Sequence, residues 1–166
     1  WRGAVTHKLT CDSDFGNWAR FCVVAQSSKR SDLLDAKAVA KLRPRDPYLN
    51  PNDPACRALP YDQEMYQLFS LVANTTSTQG KVTAKYFAKY LPFANFTQYR
   101  LLPSLPGVMG GSYSRHLNKL WNMGGVLALW NSPHVEWYYP ALRHGHTHIG
   151  VDCHTIVGHF HSYSSK

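Results

Sequence analysis

The chain has 166 residues, 44% of them hydrophobic, with five Trp, ten Tyr and seven Phe, so its length fits a single domain over 1–166 and its composition excludes a disordered chain. No apolar run approaches the roughly 18 to 20 residues of a membrane span. The formal charge of +8 favours a polyanionic partner, nucleic acid or glycosaminoglycan, or another protein subunit. Nearly all of that charge lies before residue 120; beyond it stand only Arg143 and Lys166, balanced by Glu136 and Asp152.

In chain order, Cys11-Asp12-Ser13-Asp14 precedes a short apolar patch, Phe21-Cys22-Val23-Val24-Ala25. An EF-hand would need further oxygen ligands, a glycine and a closing glutamate, so the aspartates read as a turn or helix cap. Leu33, Leu34, Ala36, Val39, Ala40 and Leu42 recur at helical spacing and predict a helix over about 31–42, capped by Ser31 and stopped before Pro44. The prolines at 44, 47, 51, 54 and 60 predict an irregular connection. Met65, Leu68, Phe69 and Val72 predict a helix over 61–73, and Thr83 and Pro92 bracket another over 84–91, the two forming a hairpin.

A Gly- and Pro-rich loop then leads into a helix over 112–121 that carries Arg115, His116 and Lys119. The loop lacks Gly-Lys-Ser/Thr and G-x-G-x-x-G, which argues against nucleotide binding. Segments 125–130, 134–139, 144–153 and 154–163 read as strands, and the short links between them predict antiparallel neighbours over 125–163. The expected fold is α+β, with N-terminal helices followed by a C-terminal antiparallel sheet.

The cysteines are Cys11, Cys22, Cys56 and Cys153, an even number without a C-x-x-C pair. Two disulfides are expected, Cys11–Cys22 and Cys56–Cys153, with a free Cys153 thiolate as the alternative. Sequons occur at Asn74 and Asn95. Together with the even cysteines and a start at Trp1 without methionine, they favour a secreted, extracellular glycoprotein.

The densest chemical signal is the tail, where six of the nine histidines fall between His144 and His161. On a strand, His144, His146 and His148 would share one face. With His159 or His161 from a neighbouring strand they would form a site for zinc or copper. Asp152 or His154 would support it from outside the ligand set, and Glu136 with His134 would serve as catalytic acid and base around a metal-activated water.

A metal-dependent hydrolase is therefore the leading expectation. The first alternative is a ribonuclease-like enzyme, in which His134 or His116 pairs with a C-terminal histidine while Arg115 or Arg143 binds the anionic phosphate. The second is a non-catalytic glycoprotein that binds a polyanion or glycan or joins an assembly.

Overall fold

The computed structural model describes residues 1–3, 15–39, 68, 85–107, 116–132 and 136–164. Strand β1 (Arg2–Gly3) precedes helix α1 (Phe15–Lys29), followed by β2 (Lys37–Val39) and β3 (Phe87–Ala88). A 3-10 segment (Phe93–Gln98) leads to β4 (Leu101–Ser104), the short helix α2 (Leu117–Leu120) and β5 (Val126–Trp130). A second 3-10 turn (Tyr139–Ala141), β6 (Ile149–Val151) and α3 (Ile156–Ser164) complete the order.

Two three-stranded sheets form, β1-β2-β3 and β4-β5-β6, and every pairing in both is parallel. The expected antiparallel sheet is therefore incorrect, and the reason lies in the connections. Residues 136–141 form a turn and a 3-10 turn, so β5 reaches β6 only through the long passage from Trp130 to Ile149. A passage of that length permits a parallel crossover, which a hairpin-sized link does not.

The central strand β5 separates two cores by simple alternation. Ala128 and Trp130 face a cluster with α1, Ala36, Ala38, Tyr86, Ile149, Val151, Ile156 and Phe160. Leu127 and Leu129 face the opposite cluster, with Phe96, Leu102, Leu117 and Leu120, flanked by Tyr138 and Leu142. The sheet is thus covered on both sides, as parallel sheets require.

Several other expectations are corrected. The helix expected over 31–42 is a turn followed by β2, because Ala36 and Ala38 alternate into the core while Leu34 is buried ahead of them. Ser27 at the end of α1 fixes this crossing: its hydroxyl donates to Leu34 O at 2.6 Å and accepts Ala36 N–H at 2.9 Å. The helix expected over 84–91 survives only at Lys85 and Tyr86 before the chain extends into β3. Leu68 is helical and buried, while the rest of 61–73 lies outside the described residues, as does 112–115 ahead of α2.

Helix α1 has no counterpart in the sequence reading. It is buried on all sides from Ala19 to Ala25 and so carries no amphipathic stripe. The strand expected over 154–163 is helix α3. Asp152 Oδ1 accepts the backbone N–H groups of His154 and Thr155 and the Thr155 hydroxyl, each at 2.9 Å, while Thr155 Oγ1 accepts Asp152 N–H at 3.0 Å. This reciprocal cap satisfies amide groups that a helix start otherwise leaves open, and it starts a helix where alternation alone suggests a strand.

Cys22 pairs with Cys153, with Cα atoms 5.8 Å apart, which replaces both expected pairings and the free-thiolate alternative. The bond joins α1 to the turn between β6 and α3. Cys11 and Cys56 lie outside the described residues.

Candidate functional site

In a parallel sheet all strands end on one side, and ligands settle in the crevice beyond those ends. Asn131 and Ser132 follow β5 directly, and with Tyr139, Leu142, Leu129, His144 and His148 they line a cavity of about 330 Å³. Trp130 also lines it, so it lies at the carboxyl end of β5, touched by Leu129 and Leu142 from one core and Trp130 from the other. A smaller void of about 110 Å³ near Tyr99 and Phe160 is lined mainly by apolar side chains, and its carboxylate, Asp35, is held by Arg2 and the Tyr99 hydroxyl. That arrangement is packing; the larger cavity is the one lined by two histidines.

Residues 143–148 form a tight turn, not an extended strand. His146 N–H and Thr147 N–H both donate to Arg143 O, at 3.0 and 2.9 Å, and Gly145 N–H donates to His148 O at 2.8 Å. Gly145 has φ 81°, a conformation that glycine adopts without a side-chain penalty. The turn brings His144 opposite His148, with ring centroids 6.0 Å apart and planes at 83°. His146, between them, is exposed in the turn and is not part of the cavity lining.

The two rings are held differently. Gly150 N–H donates to His144 Nδ1 at 2.9 Å, so the neutral His144 ring carries its proton on Nε2. Thr147 Oγ1 accepts Arg143 N–H at 2.8 Å and donates its own proton to Arg143 O at 3.1 Å. The same hydroxyl lies 3.1 Å from His148 Nδ1, a contact whose donor follows from the tautomer of the ring. His144 thus presents an N–H at Nε2, and His148 presents its Nε2 beside it.

Burial, followed by the neighbouring His144, pushes the His148 ring below the usual histidine range. Burial and the nearby Glu136 push the Tyr139 hydroxyl upward, keeping it protonated beside the cavity. Gly150 is required by space: a Cβ there would stand 2.7 Å from Asn131 Oδ1 and 3.4 Å from His144 Nδ1.

The remaining candidates are dispersed. His159 and His161 lie on α3, whose Ile156 and Phe160 pack into the core that holds Trp130, and neither histidine lines the cavity. His154 is exposed and gives its N–H to the Asp152 cap. Asp152 is itself that cap: burial pushes its carboxyl up, and the hydrogen bonds from Thr155 and His154 outweigh this and bring it below the usual range. His116 packs edge-on against Phe93 at 5.1 Å, and burial, then Arg20 and Lys119, lowers its pKa.

Among the described residues, no group of three His, Cys, Asp or Glu is placed to hold a metal ion. The expected five-histidine ligand set is not assembled, and His144 could ligate through a lone pair only by giving up its bond from Gly150. His134, Arg115 and Asn74 lie outside the described residues. Arg143 is exposed and anchors the turn through its backbone. Asn95 is exposed in the 3-10 segment, where the Thr97 hydroxyl of its sequon donates to Ala94 O at 2.8 Å.

Glu136 reaches the site through its electrostatic contact with Tyr139 and its carbonyl, which accepts Tyr139 N–H at 3.0 Å. Asn131, Ser132, Tyr139, Thr147 and Gly150 were not anticipated from the sequence. Asn131 and Ser132 have a signal of position, next to a parallel strand's carboxyl end, and an antiparallel reading conceals it. Among the described residues, no helix is long and apolar enough to cross a membrane. No protein-family model, curated protein or solved structure matches the chain.

Proposed function

We propose that the chain is a metal-independent ribonuclease-like enzyme in which His144 and His148 manage one proton and one phosphoryl charge. The observation that carries this reading is the pair of facing rings lining one cavity, with His144 Nδ1 held by Gly150 N–H so that its proton is on Nε2. We assign His148 the tautomer that donates from Nδ1 to Thr147 and keeps a lone pair on Nε2. In the reaction, His148 Nε2 takes the proton of a ribose 2′-hydroxyl as that oxygen attacks phosphorus. The P–O bond to the 5′-oxygen breaks, and His148 hands the proton to that oxygen, giving a 2′,3′-cyclic phosphate and a free 5′-hydroxyl. His144 Nε2–H donates to a non-bridging oxygen as charge collects there, the role of a prepositioned donor.

The charge of +8 supports an anionic polymer as substrate, and Arg143, next to His144 in sequence, adds a cation at the turn. An extracellular setting is part of the same proposal, supported by the Cys22–Cys153 disulfide, since such bonds persist in oxidising compartments. The exposed sequon at Asn95 is consistent with glycosylation there.

The test is cleavage of a labelled single-stranded RNA in excess chelator. Wild type is expected to yield cyclic-phosphate ends. H148A is expected to lose about 100-fold or more in rate, as removal of a general base does, and H144A is also expected to lose rate. Cleavage that needs added zinc or copper, or that survives in H148A, would refute the mechanism.

A further inference from the structure

Trp137 is 89% exposed, the most exposed large hydrophobic side chain among those described. Its ring stands at right angles to Tyr138, with centroids 5.5 Å apart and planes at 88°, and its exposure leaves most of the indole surface to water. Tyr138 meets Tyr139 in turn at 5.2 Å and 71°. Tyr139 lines the cavity that holds His144 and His148. The three consecutive aromatics thus form a ladder from solvent to the proton-transfer pair, anchored at its inner end by the turn bond from Tyr139 N–H to Glu136 O.

An indole left in water beside a cavity has no packing role, because burying an aromatic side chain is favourable and this one is not buried. Its flat open face suits another flat π-system. Sugars and bases both stack on indoles, and charge separates them: the exposed Arg143 stands at the turn that holds His144, and with the overall charge of +8 it favours a phosphate polymer over a neutral glycan. Proteins that hold single-stranded nucleic acid combine such positive charge with exposed aromatics on which unpaired bases stack.

From this ladder we infer a nucleobase subsite on Trp137, so that the strand bound for cleavage is single-stranded, with one unpaired base on the indole and the backbone running toward His144 and His148. A base inside a duplex has both faces covered by its neighbours and cannot occupy this platform. The inference rests on the ribonuclease reading for its substrate class, and its test is a binding measurement that needs no turnover.

A fluorescently labelled DNA oligonucleotide, which lacks the 2′-hydroxyl and cannot be cut by the route above, is titrated with the protein and followed by anisotropy. W137A is expected to bind it about 5- to 150-fold more weakly than wild type, the range for losing one stacked base, while W137F retains most of the affinity. An abasic strand of equal length and charge is expected to bind wild type and W137A alike, and so is the matching duplex.

Equal affinity of wild type and W137A for the base-bearing strand would overturn the subsite. So would equal binding of abasic and base-bearing strands by wild type, or a matching W137A loss on heparin, each of which reports a polyanion surface without base recognition. H154A, at an exposed ring outside the cavity lining, is the control, expected to bind the strand as wild type does. If H148A still cuts RNA while W137A loses strand affinity, the mechanism fails and the subsite stands; if W137A binds normally while H148A is inactive, the reverse holds.

Discussion

His148 is under two influences of the same sign. Partial burial and the facing His144 both disfavour its charged form, so the ring is neutral at pH values where an ordinary histidine, with a pKa of about 6.5, is half protonated. In the proposed tautomer the lone pair on Nε2 is then available at neutral pH and remains so somewhat below it. The sign for stability follows from linkage: a histidine pKa that is depressed on folding contributes fully above the unfolded value, and its contribution is lost as pH falls through the folded one. Proton NMR titration of the His148 ring is expected to give a midpoint below 6.5, with the acid limb of the cleavage profile tracking it. A midpoint above 6.5 would remove the reason for choosing His148 over His144 as base.

The sequence showed that histidines were concentrated in the tail, and two of them do share a site. It did not show which two. Spacing of two implies a common face only on a strand, and Gly145 with Thr147 turns the chain back so that positions four apart meet instead. A strand over 144–153 would run through Gly145, and the positive φ that glycine permits is what ends the extended run there.

At the scale of the element, α3 shows how a few side-chain bonds override a pattern. The alternation from His154 to Phe160 suits a strand as well as a helix, and the Asp152–Thr155 cap decides between them. Asp152→Ala is expected to cost about 1 kcal/mol of global stability, within the usual range for losing an N-cap, measured as a shift in the urea midpoint without change in slope. Because Ile156 and Phe160 remain available to the core, the loss should appear as fraying at the start of α3, read by faster amide exchange at Ile156 and Val157. Unchanged exchange there would mean that packing alone fixes the helix.

The other elements divide along the same line. Strand β5 was legible because Val-Leu-Ala-Leu-Trp is a buried run bounded by glycines and by Asn-Ser-Pro. Helix α1 was not, because a helix buried all round has the same texture as a short apolar strand. Strand β2 was not, because Leu33, Leu34, Ala36 and Val39 match a helical stripe while the chain is in fact passing from a turn into a parallel strand.

At the scale of the whole molecule, the parallel sheets make nearly every important contact distant in sequence. Leu101 pairs with Val126, Ala128 with Ile149, and Ala38 with Phe87. The cross-link between Cys22 and Cys153 spans a sequence separation of 131. On the chain-entropy model a loop of that size removes about 5 kcal/mol of freedom from the unfolded state. The double variant C22S/C153S is expected to lose a large part of that, seen as a lower urea midpoint, and reduction of the wild type should reproduce the shift. A loss below about 1 kcal/mol would show that the core around α1 holds the two segments together without the bond.

The same cross-link has a consequence for biosynthesis. A ribosome releases the Cys22 segment long before the Cys153 segment, so the earlier thiol meets Cys11 and then Cys56 first, and the Cys22–Cys153 bond cannot form until the tail has emerged. The chain would therefore depend on an isomerase to undo premature pairings. Expression with a co-translocated disulfide isomerase should raise the yield of correctly joined protein more than a stronger oxidant does.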